Sequence, residues 1–236
     1  ALLDASCNSW QKTFNRIHAG ELPLRNSPWY CDYDETVPVD AADIEIQRHT
    51  SSLHHELQSQ RIALVGLRAA VILPEPFNRR VRQLGSKGAL LTEQTLQLVS
   101  DVAAACPAGD CAVYCDKHGG RNRYAAARES TWPDSWIDIR AEGRALSEYA
   151  LTIAGREARI RFAVGGESQL PSALASMTAK YLRELAMRAF NAFWQKEVPN
   201  LKPTAGYPVD ARRFKTDIAD AQLRLGIDDG ILWRCK

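Results

Sequence analysis

The stretch from Val164 to Trp194 constrains the fold more than any other part of this 236-residue chain. It reads as the end of a strand, a Gly-Gly-Glu break and then one long amphipathic helix, in which Pro171 suits the first helical turn. Apolar side chains recur there at spacings of three and four residues, as one face of an α-helix requires. These side chains are Leu174, Met177, Tyr181, Leu185 and Ala189.

A carboxylate, Glu167, stands where this strand ends and the helix has yet to begin. In α/β proteins, catalytic and binding groups collect at the carboxyl ends of strands. A carboxylate before a helix can also serve only to cap the positive end of the helix dipole. Taken alone, Glu167 fits either role.

Periodicity elsewhere predicts strands that alternate with helices, and so an α/β fold with a mixed sheet. The apolar run within residues 61–78 predicts a central or near-central strand that Pro74 and Pro76 end. Two later strands face each other across Ala154-Gly155-Arg156, which predicts a hairpin. The other predicted helices are Trp10–Ile17, Asp40–Leu57 and Leu90–Ala105; the other predicted strands are Cys111–Asp116, Trp136–Ile139, Tyr149–Ile153 and Ala158–Val164, with a turn at Cys106–Asp110.

Composition excludes few classes of protein. No apolar run approaches the roughly 18 residues that a membrane span needs, and no signal segment opens the chain, so we expect a cytoplasmic protein. The formal net charge of +2 is too small to indicate a nucleic-acid partner by itself, so a basic surface would have to be local. The 6 cysteines contain no C-x-x-C pair, and we expect them to be reduced thiols.

Two acidic residues occupy comparable places in the chain. Asp116 ends the strand CAVYC, and Glu167 follows the strand IRFAVGG. If these strands are neighbours in the sheet, both carboxylates lie at one edge. Carboxylate clusters of this kind hold Mg²⁺ or Mn²⁺. A pair of such ions can activate a water molecule and stabilise the leaving oxygen in phosphodiester hydrolysis.

Three segments around these residues resemble, in the same order, three blocks of the type 2 ribonuclease H family. They are VYCDKHGGRNRY, GGESQLPSALASMTAKYLRELAM and KPTAGYPVDARRF. The resemblance covers about Arg61 to Phe214, and it is closest to a branch of ribonuclease H-like proteins that share the DKHGGRNRY and LKPTAGYP segments. It implies a ribonuclease H-like mixed sheet flanked by helices. The chain would comprise an irregular and helical segment (residues 1–60), the core (61–200) and a substrate-contacting C-terminal segment (201–236).

The resemblance also implies an activity, the hydrolysis of RNA in RNA–DNA hybrids with Mg²⁺ or Mn²⁺. Asp116 resembles the family's third metal-binding carboxylate, and Glu167 stands where the family usually has Asp. Tyr207 matches a tyrosine that packs on the sugar at an RNA–DNA junction. Lys180 and Arg183 match helix positions near the site, where they would contact phosphate or balance charge.

The chain departs from the family in lacking the glycine-rich Asp-Glu-x-Gly-x-Gly turn and the later Asp-Ser-Lys element. The resemblance therefore implies that the first strands of the fold are missing, most simply because the chain is a fragment. With half of the family's carboxylates, we expect weak metal binding and little turnover.

Several other charged residues could have either a functional or a purely structural role. The segment from His118 to Arg123 could place backbone amides and the guanidinium groups of Arg121 and Arg123 against phosphates, or it could be a polar loop whose glycines only turn the chain. Glu142 is a further candidate carboxylate, and Arg213 belongs to a basic group near Tyr207 that could follow a phosphate backbone. The acidic pair Asp34-Glu35 is expected in a solvated loop.

The functional alternatives are two. The chain could be a non-catalytic nucleic-acid-binding protein of the same fold, or a nuclease for branched DNA or structured RNA.

Overall fold

The computed structural model describes residues 7–19, 27–106 and 109–235, without the side chains of residues 128 and 129. The predicted turn at Cys106–Asp110 lies partly outside these residues. The helices are α1 (Trp10–Ile17), α2 (Asp43–Ser59), α3 (Pro74–Leu84), α4 (Lys87–Ala105), α5 (Ala125–Thr131), α6 (Leu170–Glu197), α7 (Pro208–Asp217), α8 (Ala219–Arg224) and α9 (Asp229–Leu232). The strands are β1 (Cys111–Asp116), β2 (Ile137–Glu142), β3 (Leu146–Ile153) and β4 (Arg156–Ala163), and a 3₁₀ turn spans Gly166–Ser168.

The four strands form one mixed sheet in the order β1-β4-β3-β2. β1 runs parallel to β4, with Asp116 opposite Ala163, while β4 pairs with β3 and β3 with β2 in antiparallel fashion. The predicted hairpin is confirmed: Ala154 and Gly155 both have positive φ, which is the backbone that a two-residue turn requires. The chain is therefore an α/β protein with a mixed sheet flanked by helices, as predicted.

The chain divides into two compact units, and the sheet belongs to the second. Unit 1 comprises Ala1–Arg68 and Glu184–Ala221, and unit 2 comprises Ala69–Arg183 and Gln222–Lys236. Helix α6 contributes residues to both units. Each unit has its own apolar core.

The core of unit 2 forms on one face of the sheet. Alternate residues of β3 and β4 are buried there, as a strand with one covered face requires. Helix α4 packs on this face through its apolar side, and Tyr124 stacks on Phe162 with ring centroids 3.8 Å apart. The buried members are Leu96, Ala103, Tyr124, Tyr149, Leu151, Ile153, Ala158, Ile160 and Phe162.

The core of unit 1 is aromatic. Ser9 caps α1 by accepting a hydrogen bond from the amide of Lys12, and the indole of Trp10 donates a 2.9 Å hydrogen bond to the carbonyl of Leu185. The buried aromatic members are Trp10, Phe14, Trp29, Tyr30, Phe190, Trp194 and Phe214. Burial of this much aromatic surface explains how α1 is held although it is only 8 residues long.

One expectation about local structure is wrong. The apolar run after Arg61 forms no strand; Ile62 and Val65 are exposed, and Pro74 begins α3 instead of ending a strand. A continuous apolar run cannot by itself distinguish a buried strand from an exposed extended segment, and proline is equally suited to a first helical turn. The acidic pair Asp34-Glu35 lies in a loop, where Asp34 is exposed and Glu35 accepts hydrogen bonds of 3.0 and 2.6 Å from the guanidinium of Arg188.

No helix in residues 7–19, 27–106 or 109–235 has the length and apolar character that crossing a bilayer requires.

Candidate functional site

The candidate site lies at the edge of the sheet where β1 and β4 end. These strands are adjacent and parallel, so their carboxyl ends share one edge, and Asp116 is the last residue of β1. After β4 the chain turns at Gly165, whose φ of 69° is in the left-handed region that favours glycine. The amide of Gly166 then donates a 3.2 Å hydrogen bond to Oδ1 of Asp116. This bond brings the residue before Glu167 against the Asp116 side chain.

Position 166 favours glycine because the backbone of β1 lies very close to it. A Cβ atom there would lie 3.0 Å from the Cα atom of Asp116 and 3.1 Å from the carbonyl oxygen of Cys115. Both are backbone atoms, which cannot move aside as a flexible side chain can. The second glycine of the Gly-Gly-Glu break is therefore needed because the turn packs directly on the end of β1.

Glu167 is exposed and is held by side chains of α6. Its carboxylate accepts a 2.5 Å hydrogen bond from the hydroxyl of Ser176, and the ammonium of Lys180 lies 3.6 Å away. The hydrogen bond from Ser176, followed by the positive charge of Lys180, lowers the pKa of the Glu167 carboxyl. Lys180 was predicted either to contact phosphate or to balance charge, and in this structure it balances the charge of Glu167.

The donor atoms at this edge suit a hard cation. Asp116 and Glu167 offer carboxylate oxygens, and both residues are exposed. The described part of the chain holds no group of three or more His, Cys, Asp or Glu residues that could surround a metal ion. Mg²⁺ is nevertheless often held by only one or two carboxylates together with waters and the phosphates of a substrate. Asp116 and Glu167 are therefore the residues of this edge that could hold such an ion.

The loop that follows Asp116 is anchored by Lys117. Its ammonium donates hydrogen bonds to the carbonyl of Gly143 (2.8 Å), the hydroxyl of Ser147 (2.6 Å) and the carbonyl of Arg121 (3.4 Å). Burial lowers the pKa of this lysine, and the negative charge of Glu142 opposes that change. The sequence around Lys117 indicates no role for it, since Gly143 and Ser147 lie 26 and 30 residues further along the chain.

His118 joins the same loop to α4 and to the core. One ring nitrogen lies 2.9 Å from the hydroxyl of Thr92, and the His118 amide donates a 3.1 Å hydrogen bond to the hydroxyl of Tyr124. Burial lowers the pKa of His118 to about 4, Arg121 acts in the same direction, and Asp116 opposes both. A neutral, half-buried imidazole serves here to hold the loop.

The two loop arginines differ in their surroundings. The guanidinium of Arg121 lies 5.9 Å from the centre of the Tyr124 ring. The side chain of Arg123 is 88% exposed, with its Nε atom 3.7 Å from Glu142. Glu142 itself accepts a 2.7 Å hydrogen bond from the buried hydroxyl of Tyr149, so this candidate carboxylate has a structural partner. Of the two predicted arginines, Arg123 is therefore the exposed one, while Arg121 is half-buried beside Tyr124.

Arg183 lies on α6 three residues beyond Lys180, and it is half-buried.

Tyr207 belongs to unit 1, where it precedes α7 and has 64% of its surface exposed. The turn that carries it is tightly bonded: Asn191 accepts from the amide of Thr204 and donates to its carbonyl, both at 2.9 Å. Asp210 accepts a 2.5 Å hydrogen bond from the hydroxyl of Thr204. That bond, followed by those from Arg213, lowers the pKa of Asp210 to about 2.

Arg213 could either follow a phosphate backbone or belong to a solvated charged face, and in the structure its guanidinium pairs within the turn. It donates to Asp210 and Asp217 and to the carbonyls of Lys202 and Pro203. With these contacts, Arg213 stabilises the turn that carries Tyr207.

Comparison with protein-family models, with curated proteins and with solved structures finds no match for this chain. The resemblance to the type 2 ribonuclease H family therefore stays a prediction from the motifs.

Proposed function

We propose that this chain is a metal-dependent phosphodiester hydrolase with a ribonuclease H-like fold, and that it acts on RNA in RNA–DNA hybrids. One observation carries the proposal: the hydrogen bond from Gly166 to Asp116, which joins the turn carrying Glu167 to the end of the neighbouring parallel strand. Two exposed carboxylates at a strand-end edge are the hard oxygen donors that Mg²⁺ or Mn²⁺ takes.

In this proposal Asp116 and Glu167 are the metal ligands. A divalent cation held there with the substrate phosphate would lower the pKa of a bound water molecule and stabilise the leaving oxygen. Arg121 and Arg123 would contact neighbouring phosphates, since guanidinium groups bind phosphate oxygens in a bidentate manner.

Lys180 would have two roles. Without a cation it pairs with Glu167 at 3.6 Å, and this exposed pair is a weak interaction that a divalent cation can displace. Once displaced, the ammonium is positioned for a phosphate, with Arg183 on the same helix. Tyr207 is assigned to packing on a substrate sugar because of the motif resemblance alone.

Cleavage of a labelled RNA–DNA hybrid with Mn²⁺ or Mg²⁺ tests the proposal. We expect slow cleavage that Asp116→Asn and Glu167→Gln each abolish. Glu75→Gln is the matched control, because Glu75 is an exposed carboxylate on α3 that pairs with Arg79. An absence of cleavage by the chain, or cleavage that Asp116→Asn leaves unchanged, would contradict the proposal. Branched DNA and structured RNA as competitors identify the preferred substrate.

A second candidate function is nucleic-acid binding without catalysis. Two observations favour it: Lys180 already neutralises Glu167, and the residues that the structure describes supply no third metal ligand. This function predicts hybrid binding that weakens with salt, with a log–log slope of about −0.9 for each phosphate contacted, and that Mn²⁺ does not change.

A further inference from the structure

Lys117 and Ser147 draw the backbone of the loop inward. The Lys117 ammonium donates a 3.4 Å hydrogen bond to the carbonyl of Arg121, and the hydroxyl of Ser147 donates a 2.5 Å hydrogen bond to the carbonyl of Asn122. Ser147 is fully buried and also accepts a hydrogen bond from Lys117. Two successive carbonyl groups of the loop are therefore turned toward the same internal pair of side chains.

This arrangement fixes the direction of two amides. In a trans peptide the C=O of one residue and the N–H of the next point in opposite directions. With the carbonyls of Arg121 and Asn122 turned inward, the amides of Asn122 and Arg123 face the outer side of the loop, where both residues are exposed. Successive N–H groups that face one side form an anion-binding concavity.

The ammonium group of Lys117 is hydrogen-bonded within the loop and its neighbouring strand. Three acceptors surround its ammonium, so this lysine holds the backbone of the loop from the inside. The guanidinium group that adjoins the two outward amides is that of Arg123, whose side chain is 88% exposed.

We propose that Lys117 is a positioning residue, which holds the loop between Asp116 and Tyr124 so that the amides of Asn122 and Arg123 and the guanidinium group of Arg123 bind a phosphate group. As the substrate contact of the hydrolase, this assignment rests on the proposed function. Phosphate binding by the loop itself does not require the metal site.

The test is a titration of the full chain with inorganic phosphate in the absence of divalent cations, followed by the amide resonances. Chloride at the same ionic strength provides the baseline. We expect phosphate to shift the amides of Asn122 and Arg123, and Lys117→Met to weaken its binding at least about tenfold. Lys87→Met is the control, because it removes an exposed lysine of the same unit, and it should leave the affinity unchanged.

Ser147→Ala provides a second variant should Lys117→Met fail to fold. It removes the hydroxyl that holds the Asn122 carbonyl and retains the ammonium, so it should also weaken phosphate binding and speed hydrogen exchange of the Tyr124 amide. No phosphate-induced shift at Asn122 and Arg123 in the wild-type chain, or wild-type affinity in both folded variants, would overturn the assignment. Failure of the proposed function would appear separately, as a lack of hybrid cleavage with phosphate binding intact.

Discussion

The amide of Gly166 lies 3.2 Å from Oδ1 of Asp116, and this hydrogen bond joins the turn after β4 to the end of β1. The two residues are 50 positions apart in the sequence, and the parallel pairing of β1 with β4 brings them together. The two carboxylates on which the proposed function depends are therefore carried by backbone segments in direct contact.

Substitution of Gly166 tests how closely these segments must pack. A Cβ atom at this position would lie 3.0 Å from backbone atoms of Asp116, so Gly166→Ala should lower the free energy of unfolding by about 1–3 kcal/mol. Urea unfolding measures this change. Gly88→Ala is the control, since a Cβ there meets nothing within 4 Å and alanine is the better helix former, so stability should hold or rise. Equal stability of Gly166→Ala and the wild-type chain would show that the contact is not tight.

The ionisation of Glu167 should depend on Ser176. The hydrogen bond from Ser176 is the largest cause of the lowered pKa of the Glu167 carboxyl, so Ser176→Ala should raise that pKa toward its ordinary value. A depressed carboxyl pKa contributes stability that is present above the unfolded pKa and is lost as the pH falls through the folded one. Carbon-detected NMR titration of the Glu167 carboxyl measures the shift. An identical titration in Ser176→Ala would show that the hydroxyl does not hold the carboxylate.

His118 should make stability depend on pH in a specific window. Its folded pKa of about 4 lies below the ordinary value of 6.5, so the unfolded chain binds a proton that the folded chain does not. The contribution of His118 to the free energy of unfolding is complete above about pH 6.5 and is lost as the pH falls toward 4. We expect a loss of about 2 kcal/mol over this window, since the half-exposed ring retains some solvent screening.

Urea unfolding of His118→Gln at several pH values checks this expectation. The wild-type chain should have the larger free energy of unfolding at pH 6.5, and this difference from the variant should shrink as the pH falls to 4. A constant difference between the two proteins across that window would contradict the assignment.

The sequence predicted those parts of the fold that depend on local pattern. The hairpin followed from Ala154-Gly155 between two alternating stretches, and α1 followed from the spacing of Trp10, Phe14 and Ile17. Asp116 at a strand end also followed from the apolar segment before it. The strand predicted in residues 62–73 does not form. A continuous apolar run indicates hydrophobicity and length, but it does not show whether another strand is available to pair with it.

The interactions that hold the site could not be predicted, because they join distant parts of the chain. Lys117 bonds to Gly143 and Ser147, and the pattern around a single lysine does not indicate which carbonyl groups will surround it. Outside the site, the bond between Glu35 and Arg188 spans 153 residues, and the local pattern around neither residue indicates the other as its partner.

The turn before α7 should depend on Asn191. Its side chain satisfies both the amide and the carbonyl of Thr204, so Asn191→Ala leaves two backbone groups without these partners and should cost about 2 kcal/mol. Urea unfolding measures the cost, and hydrogen exchange at Gly206 should become faster. Gln58→Ala, at an exposed position of α2 in the same unit, is the control. Unchanged exchange at Gly206 would show that the turn is held by Asp210 and Arg213 without Asn191.

The most direct test of the account is a titration with Mn²⁺ observed through paramagnetic broadening of backbone amides. If Asp116 and Glu167 share a cation, Mn²⁺ should broaden the amides of Lys117, Gly165 and Gly166 first, with the same result for Glu75→Gln and none for Asp116→Asn. Broadening that starts elsewhere, or that persists at these amides in Asp116→Asn, would contradict the metal site and with it the proposed hydrolase.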